Sequence, residues 1–124
     1  MSDIKLRIVP VKKEDDLYPI TTYLKGDNAK MELSILVNIF NIPKKIEGIL
    51  SIEIYNEKED KIYLHNLTRL EKFVIKKTPK KNYYIDLTYK TGKVYLKKGI
   101  YKITGNILNN NKILATSETH IIIE

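Results

Sequence analysis

The run Leu96-Lys-Lys-Gly99-Ile-Tyr101-Lys-Ile103-Thr-Gly105-Asn-Ile107-Leu-Asn109-Asn110-Asn111-Lys-Ile113-Leu-Ala115-Thr-Ser117-Glu-Thr119-His120-Ile-Ile-Ile123 decides how this chain is read. Two β-rich segments flank Asn109, Asn110 and Asn111, residues that turn readily and tolerate left-handed backbone angles, so the run predicts a long antiparallel hairpin. Tyr101, Ile103, Gly105 and Ile107 share one face of its first strand. Ile113, Ala115, Ser117, Thr119, Ile121 and Ile123 share a face of its second, and the opposite side carries Glu118 and His120. A glycine among inward positions predicts a bulge or a close approach of the facing sheet.

Working outward, the same period-two pattern recurs. Ile4, Leu6 and Ile8 alternate with Lys5 and Arg7, and Pro10 ends or edges that strand. Residues 12–16 read as a charged loop, 20–24 as a short extended piece and Gly26-Asp27-Asn28 as a turn. Met31, Leu33, Ile35, Val37 and Ile39 then form one face of a central core strand, with Glu32, Ser34, Leu36, Asn38 and Phe40 opposite. Leu50, Ile52 and Ile54 predict a further strand, and Glu57 to Lys61 a polar hairpin loop before a return through Ile62, Tyr63 and Leu64. Residues 66–74 fit one face of a short helix and a short crossover strand equally, and both stay open. Lys76 to Lys81 reads as a loop; Tyr83, Ile85, Leu87 and Tyr89 form the inward face of a strand that Thr91-Gly92-Lys93 ends as a turn. About seven strands with turn signals between them, and no long amphipathic helix, predict an all-β, antiparallel sandwich in one domain over residues 1–124.

The motif Leu96-x-x-Gly99-x-Tyr101-x-Ile103, with the hairpin after it, resembles the last two strands of bacterial immunoglobulin-like and fibronectin type III-like domains. There a leucine, a turn glycine and a corner tyrosine precede the penultimate strand. The resemblance implies an immunoglobulin-like architecture, not an activity: that superfold hosts adhesins, accessory modules, chaperones and phage structural domains. The cysteine pair and tryptophan of antibody domains have no counterpart, because both residue types are absent.

Lack of cysteine removes disulfides, thiolate metal sites and cysteine nucleophiles. No apolar leader is visible at the N-terminus, so a cytoplasmic location is expected, or a mature fragment of an exported protein, with no membrane span. The two histidines, His65 and His120, read as exposed groups on an outer sheet face. Glu118 with His120 would supply only two of the three or four ligands zinc takes. The carboxylates Glu14-Asp15-Asp16 and Glu57 to Asp60 lack calcium-loop spacing and read as solvated loop tips. No cofactor, metal site or catalytic set is therefore expected, and the chain reads as a non-enzyme.

The formal charge of +7 is concentrated. Between Lys76 and Lys102 nine lysines face one acid, Asp86, for +8, which leaves the remaining chain at −1. Five of the nine tyrosines lie in the same region. Lysines that release counterions beside rings that stack on unpaired bases are what a single-strand binder uses. Lysines on loops and edge strands also block sheet-to-sheet aggregation. Tyr83 and Tyr89 fall in the inward phase and Tyr101 at the corner, which leaves Tyr84 and Tyr95 for a surface. Tyr55, Tyr63 and Tyr84 are the candidate platforms for carbohydrate. The expected function is protein binding or a structural role, through sandwich loops or an open edge strand, with a phage or mobile-element association compatible with a small basic chain. The alternative is an anionic partner, nucleic acid or acidic protein, held by Lys76, Lys77, Lys80, Lys81, Tyr84, Lys97 and Lys98.

Overall fold

A computed structural model describes residues 4–11, 22–23, 30–42, 47–73, 75–77, 79 and 83–124, leaving out the side chains of Tyr23 and Leu67. The described strands are β1 (Lys5–Val11), β2 (Thr22–Tyr23), β3 (Met31–Ile42), β4 (Ile49–Tyr55), β5 (Lys61–Arg69), β6 (Lys76–Lys77), β7 (Tyr83–Val94), β8 (Gly99–Asn109) and β9 (Lys112–Ile123). Seven are long and two are two-residue pieces. They form a four-stranded sheet in the order β1-β3-β7-β6 and a five-stranded sheet in the order β2-β9-β8-β4-β5. Every pairing is antiparallel except β2 with β9, where Thr22 and Tyr23 run parallel to Ile122 and Ile123. This is the antiparallel two-sheet sandwich that the strand pattern predicts.

The core is aliphatic and follows the expected alternation. Leu33, Ile35, Val37 and Ile39 of β3, Leu50, Ile52 and Ile54 of β4, and Ile103 and Ile107 of β8 are all fully buried. Residues 12–16, the Gly26 turn and the outer parts of 20–24 lie outside the described residues. Pro10 edges rather than ends its strand: β1 is the outer strand of its sheet, where a missing N–H goes unneeded. Gly105 marks a close approach and not a bulge. A β-carbon there would stand 3.0 Å from Ile8 Cγ2, 3.4 Å from Leu6 Cδ2 and 3.6 Å from Ile52 Cδ1. The closing hairpin turns on Asn110 and Asn111 at φ 51° and 64°, the two left-handed residues of a type I′ turn.

Tyr101 takes the expected corner position. Its hydroxyl donates to the carbonyl of Lys97 at 2.8 Å, tying the entry of β8 back to the segment before it. Of the stretch 66–74, the described residues 66–73 form the end of β5, which stays paired with β4 as far as Arg69, followed by a single 3₁₀ turn, Leu70–Lys72, while Val74 lies outside the described residues. Leu70 is fully buried and its N–H donates to the Gly48 carbonyl at 2.9 Å, so tertiary pairing decides between the two local options.

Three local expectations are corrected. Thr91-Gly92-Lys93 is no turn, because β7 runs through it to Val94. The register against β3 shifts between Glu32 and Ser34, and Gly92 at φ 73° supplies a β-bulge in which Thr91 Oγ1 accepts from the Leu33 N–H at 3.1 Å. Turn chemistry in the sequence is spent on a bend inside a strand. Lys76 and Lys77 are not loop but pair with Tyr84 and Tyr83. Ile113 is 58% exposed, since a shift after Ile107 opposes Leu108 with Ile113 and Ile107 with Ala115, and Leu114 packs on the core instead.

Candidate functional site

The lysine-rich region does not form one patch. Lys76 and Lys77 sit at the start of β7, whereas Lys97 and Lys98 follow its far end, roughly 35 Å of strand away. Lys80 and Lys81 lie outside the described residues. Tyr83 packs against the core and Tyr89 is buried, as their phase predicts, while Tyr95 is 52% exposed.

Lys97 and Lys98 line a shallow cleft of about 370 Å³ with Glu57, Lys58 and Asp60 of the β4–β5 loop. Positive charge there faces carboxylates. The loop is built on Asn56, whose Oδ1 accepts from the N–H groups of Lys58 and Asp60, each at 2.9 Å. Glu57 is more than a solvated loop tip: its Oε1 accepts from the Ile100 N–H at 2.9 Å, pinning the loop to the start of β8.

Along β5 the two faces differ. Inward, Tyr63 and His65 close the seam between the sheets against β7. The Tyr63 and Tyr89 hydroxyls are hydrogen-bonded, and the Tyr63 hydroxyl also reaches the Thr91 carbonyl at 3.2 Å. His65 Nε2 is 2.8 Å from Thr68 Oγ1, with its ring centroid 5.0 Å from that of Tyr89. Burial, then the hydrogen bond shared with Tyr63, pushes the Tyr89 phenol far above its ordinary range. His65 is thus half-buried structure and not an exposed outer-face group, and Tyr63 is no open platform. The spacing of Tyr63, His65 and Tyr89 held no signal for this cluster, because β5 and β7 belong to different sheets.

Outward, Ile62 and Leu64 are 42% and 51% exposed. Lys61, at the head of the strand, lies 3.4 Å from the Glu53 carboxylate. Tyr55 is hydrogen-bonded to Glu53, which, ahead of burial, raises its phenol pKa. The Lys61 and Lys102 ammonium groups stand 5.9 and 5.0 Å from the Tyr55 ring centroid, so cations already occupy that platform.

The outer face of the four-stranded sheet holds a row that sequence reading did not assemble. Lys5, Phe40, Tyr84 and Lys76 are successive cross-strand partners on β1, β3, β7 and β6. In the next row Arg7 donates to Asn38 Oδ1 from Nε at 2.9 Å and Nη2 at 2.7 Å. Asn38 Nδ2 in turn donates to Asp86 Oδ1 at 2.7 Å. The available signal was Phe40 in an outward phase; that it faces Tyr84 depends on which strands pair.

His120 is exposed beside Lys102 on β8, and among the described residues no three histidine or carboxylate side chains converge on a metal position. Nor, among them, is any helix long and apolar enough to cross a membrane.

No protein-family model and no curated protein matches the sequence. Solved structures of similar shape include a β-glucuronidase of Bifidobacterium dentium complexed with coumarin-3-O-glucuronide, at 11% identity and TM-score 0.45 over 98% of this chain. A putative β-galactosidase of Bacteroides fragilis is similar at 14% identity and TM-score 0.47 over 94% of this chain. This chain spans 18% and 17% of those two chains. The CARDB domain of a Pyrococcus furiosus protein, in complex with di-metal ions, is similar at 14% identity and TM-score 0.47, covering 98% of this chain and 92% of that one.

Proposed function

We propose that the chain is a non-enzymatic protein-binding module that takes up an extended segment of its partner along β5. One observation carries this reading: among the described strands β5 is the outer one of its sheet, and its stretch from Ile62 to Thr68 has no acidic, lysine or arginine side chain while Ile62 and Leu64 stand exposed. In a chain with 30% charged residues, such an edge lacks the central charge or proline that usually guards against strand pairing. An added strand would gain main-chain hydrogen bonds from the edge, and its alternate side chains would meet Ile62 and Leu64, which sets specificity. Lys61 and Arg69 bracket the edge, so antiparallel self-pairing centred on His65 would oppose like charges, and an acid-flanked partner segment fits better.

The test is affinity capture from the source cell with three forms of the chain: wild type, Ile62→Lys with Leu64→Lys, and the control Ile113→Lys on β9. The partner is expected on the wild type and the control and to be lost from the β5 double variant. Amide exchange of residues 62–68 should slow when that partner is bound. Retention by the double variant, or turnover of a defined substrate by the purified chain, would refute the reading.

A further inference from the structure

We propose that the outer face of the four-stranded sheet is a separate binding surface for single-stranded nucleic acid, with Phe40 and Tyr84 as base-stacking rings and Lys5 and Lys76 as phosphate-binding cations. The surface is far in character from the β5 edge and does not depend on it.

The row Lys5-Phe40-Tyr84-Lys76 crosses all four strands of the sheet, about 14 Å at ordinary strand spacing. Its two rings point away from the core: the adjacent Ile39 and Ile85, in the opposite phase of β3 and β7, are buried, whereas Phe40 is 38% exposed and Tyr84 half-exposed. Both lysines are exposed at the ends of the row. Two adjacent rings on an open sheet face, bracketed by cations, present what successive unpaired bases and their phosphates need: π-faces in the middle and positive charge at the flanks.

Other partners use the row less well. An acidic protein segment would engage the lysines and leave Phe40 without a role. Duplex DNA is read by an element that enters a groove, and the sheet offers a flat face there. Base-specific readout is not expected either, because the neighbouring Arg7 guanidinium is already bound to Asn38 and lysines mainly position phosphates. The ligand is thus a single strand taken with little sequence preference. Aromatic neighbours across a strand pair also stabilise a sheet on their own. The experiment must separate these uses.

Fluorescence anisotropy of the full chain with labelled oligothymidylate of about 12 nucleotides at low salt provides the readout. Phe40→Leu, which keeps apolar bulk on the sheet, and Tyr84→Ala should each weaken binding by about 5- to 150-fold, while Tyr84→Phe should bind like wild type. Lys76→Gln should reduce the slope of log affinity against log salt by about 0.7. Lys98→Gln, at the other end of β7, should change little. A duplex of equal length and polyglutamate serve as rival ligands, and circular dichroism confirms that each variant is folded. Absence of oligothymidylate binding, ring variants that bind like wild type, or equal affinity for duplex or polyglutamate would overturn the proposal.

Discussion

Gly105 is where the two sheets come closest to intolerance of a side chain, and replacing it with alanine gives a quantitative test of the packing. The new methyl would lie 3.0 Å from Ile8 Cγ2, inside the usual 3.5–4.0 Å carbon contact, with Leu6 Cδ2 at 3.4 Å and Ile52 Cδ1 at 3.6 Å closing its lateral escape. Ile8 is 5% exposed and Ile52 fully buried, so neither retreats into solvent. Overpacking of this kind costs about 1–3 kcal/mol. Loss of glycine freedom in the unfolded chain offsets about 0.4–1 kcal/mol of it. The net expectation is a destabilisation of about 1–2 kcal/mol. For 124 residues the unfolding entropy is on the order of 260 cal/mol/K, so the midpoint should fall by about 4–8 °C. Thermal unfolding followed by circular dichroism measures this, and Ile8→Ala completes a double-mutant cycle. Because Ile8→Ala removes the atom in the closest contact, the double variant should be more stable than additivity predicts by at least about 0.5 kcal/mol. A midpoint for Gly105→Ala at or above wild type, or strict additivity with Ile8→Ala, would refute the close-approach account.

The turn of the closing hairpin makes a second prediction: Asn111→Ala should lower stability in urea by about 1 kcal/mol, and Asn111→Gly should match wild type, because φ at this residue is 64°. Equal losses for both variants would show that the asparagine side chain, not the backbone angle, matters. Alkaline pH supplies a third. Tyr89 is held protonated by burial and by Tyr63, and Tyr101 is raised chiefly by burial, so each ionises more readily in the unfolded chain than in the folded one. Their contribution is fully present below the ordinary tyrosine value of 10.0 and drains away as pH rises above it. The melting midpoint should therefore fall more steeply above pH 10 in wild type than in Tyr89→Phe, and parallel curves would contradict the assignment.

Much of the fold was legible because one face of each sheet is buried and the side-chain period along a strand is two. That period identifies Leu33, Ile35, Val37 and Ile39, or Leu50, Ile52 and Ile54, as core without any knowledge of their neighbours. Asn110-Asn111 was legible for a local reason, the backbone angles a two-residue hairpin turn demands. The misread positions are those where register changes. Gly92 looked like a turn and is a bulge, and Ile113 shared the core period yet lies outside because a shift after Ile107 hands its place to Leu114.

The candidate surfaces were legible only as residue types. Lys76, Tyr84, Lys97 and Lys98 are neighbours in sequence, but a twelve-residue strand carries the first pair away from the second. Phe40 and Lys5 lie far from Tyr84 along the chain and stand beside it across three strands. The sequence by itself determined the aliphatic core, the closing hairpin and the absence of cysteine chemistry, since each depends on local period, local backbone angles or composition, whereas the corner position of Tyr101 came from the family resemblance. Only the tertiary structure decided that β5 is an edge, that His65 and Tyr63 seal a seam against Tyr89, and that two aromatic rings and two lysines form one row. Those facts depend on strand order and register, which arise from packing between segments that no local pattern connects.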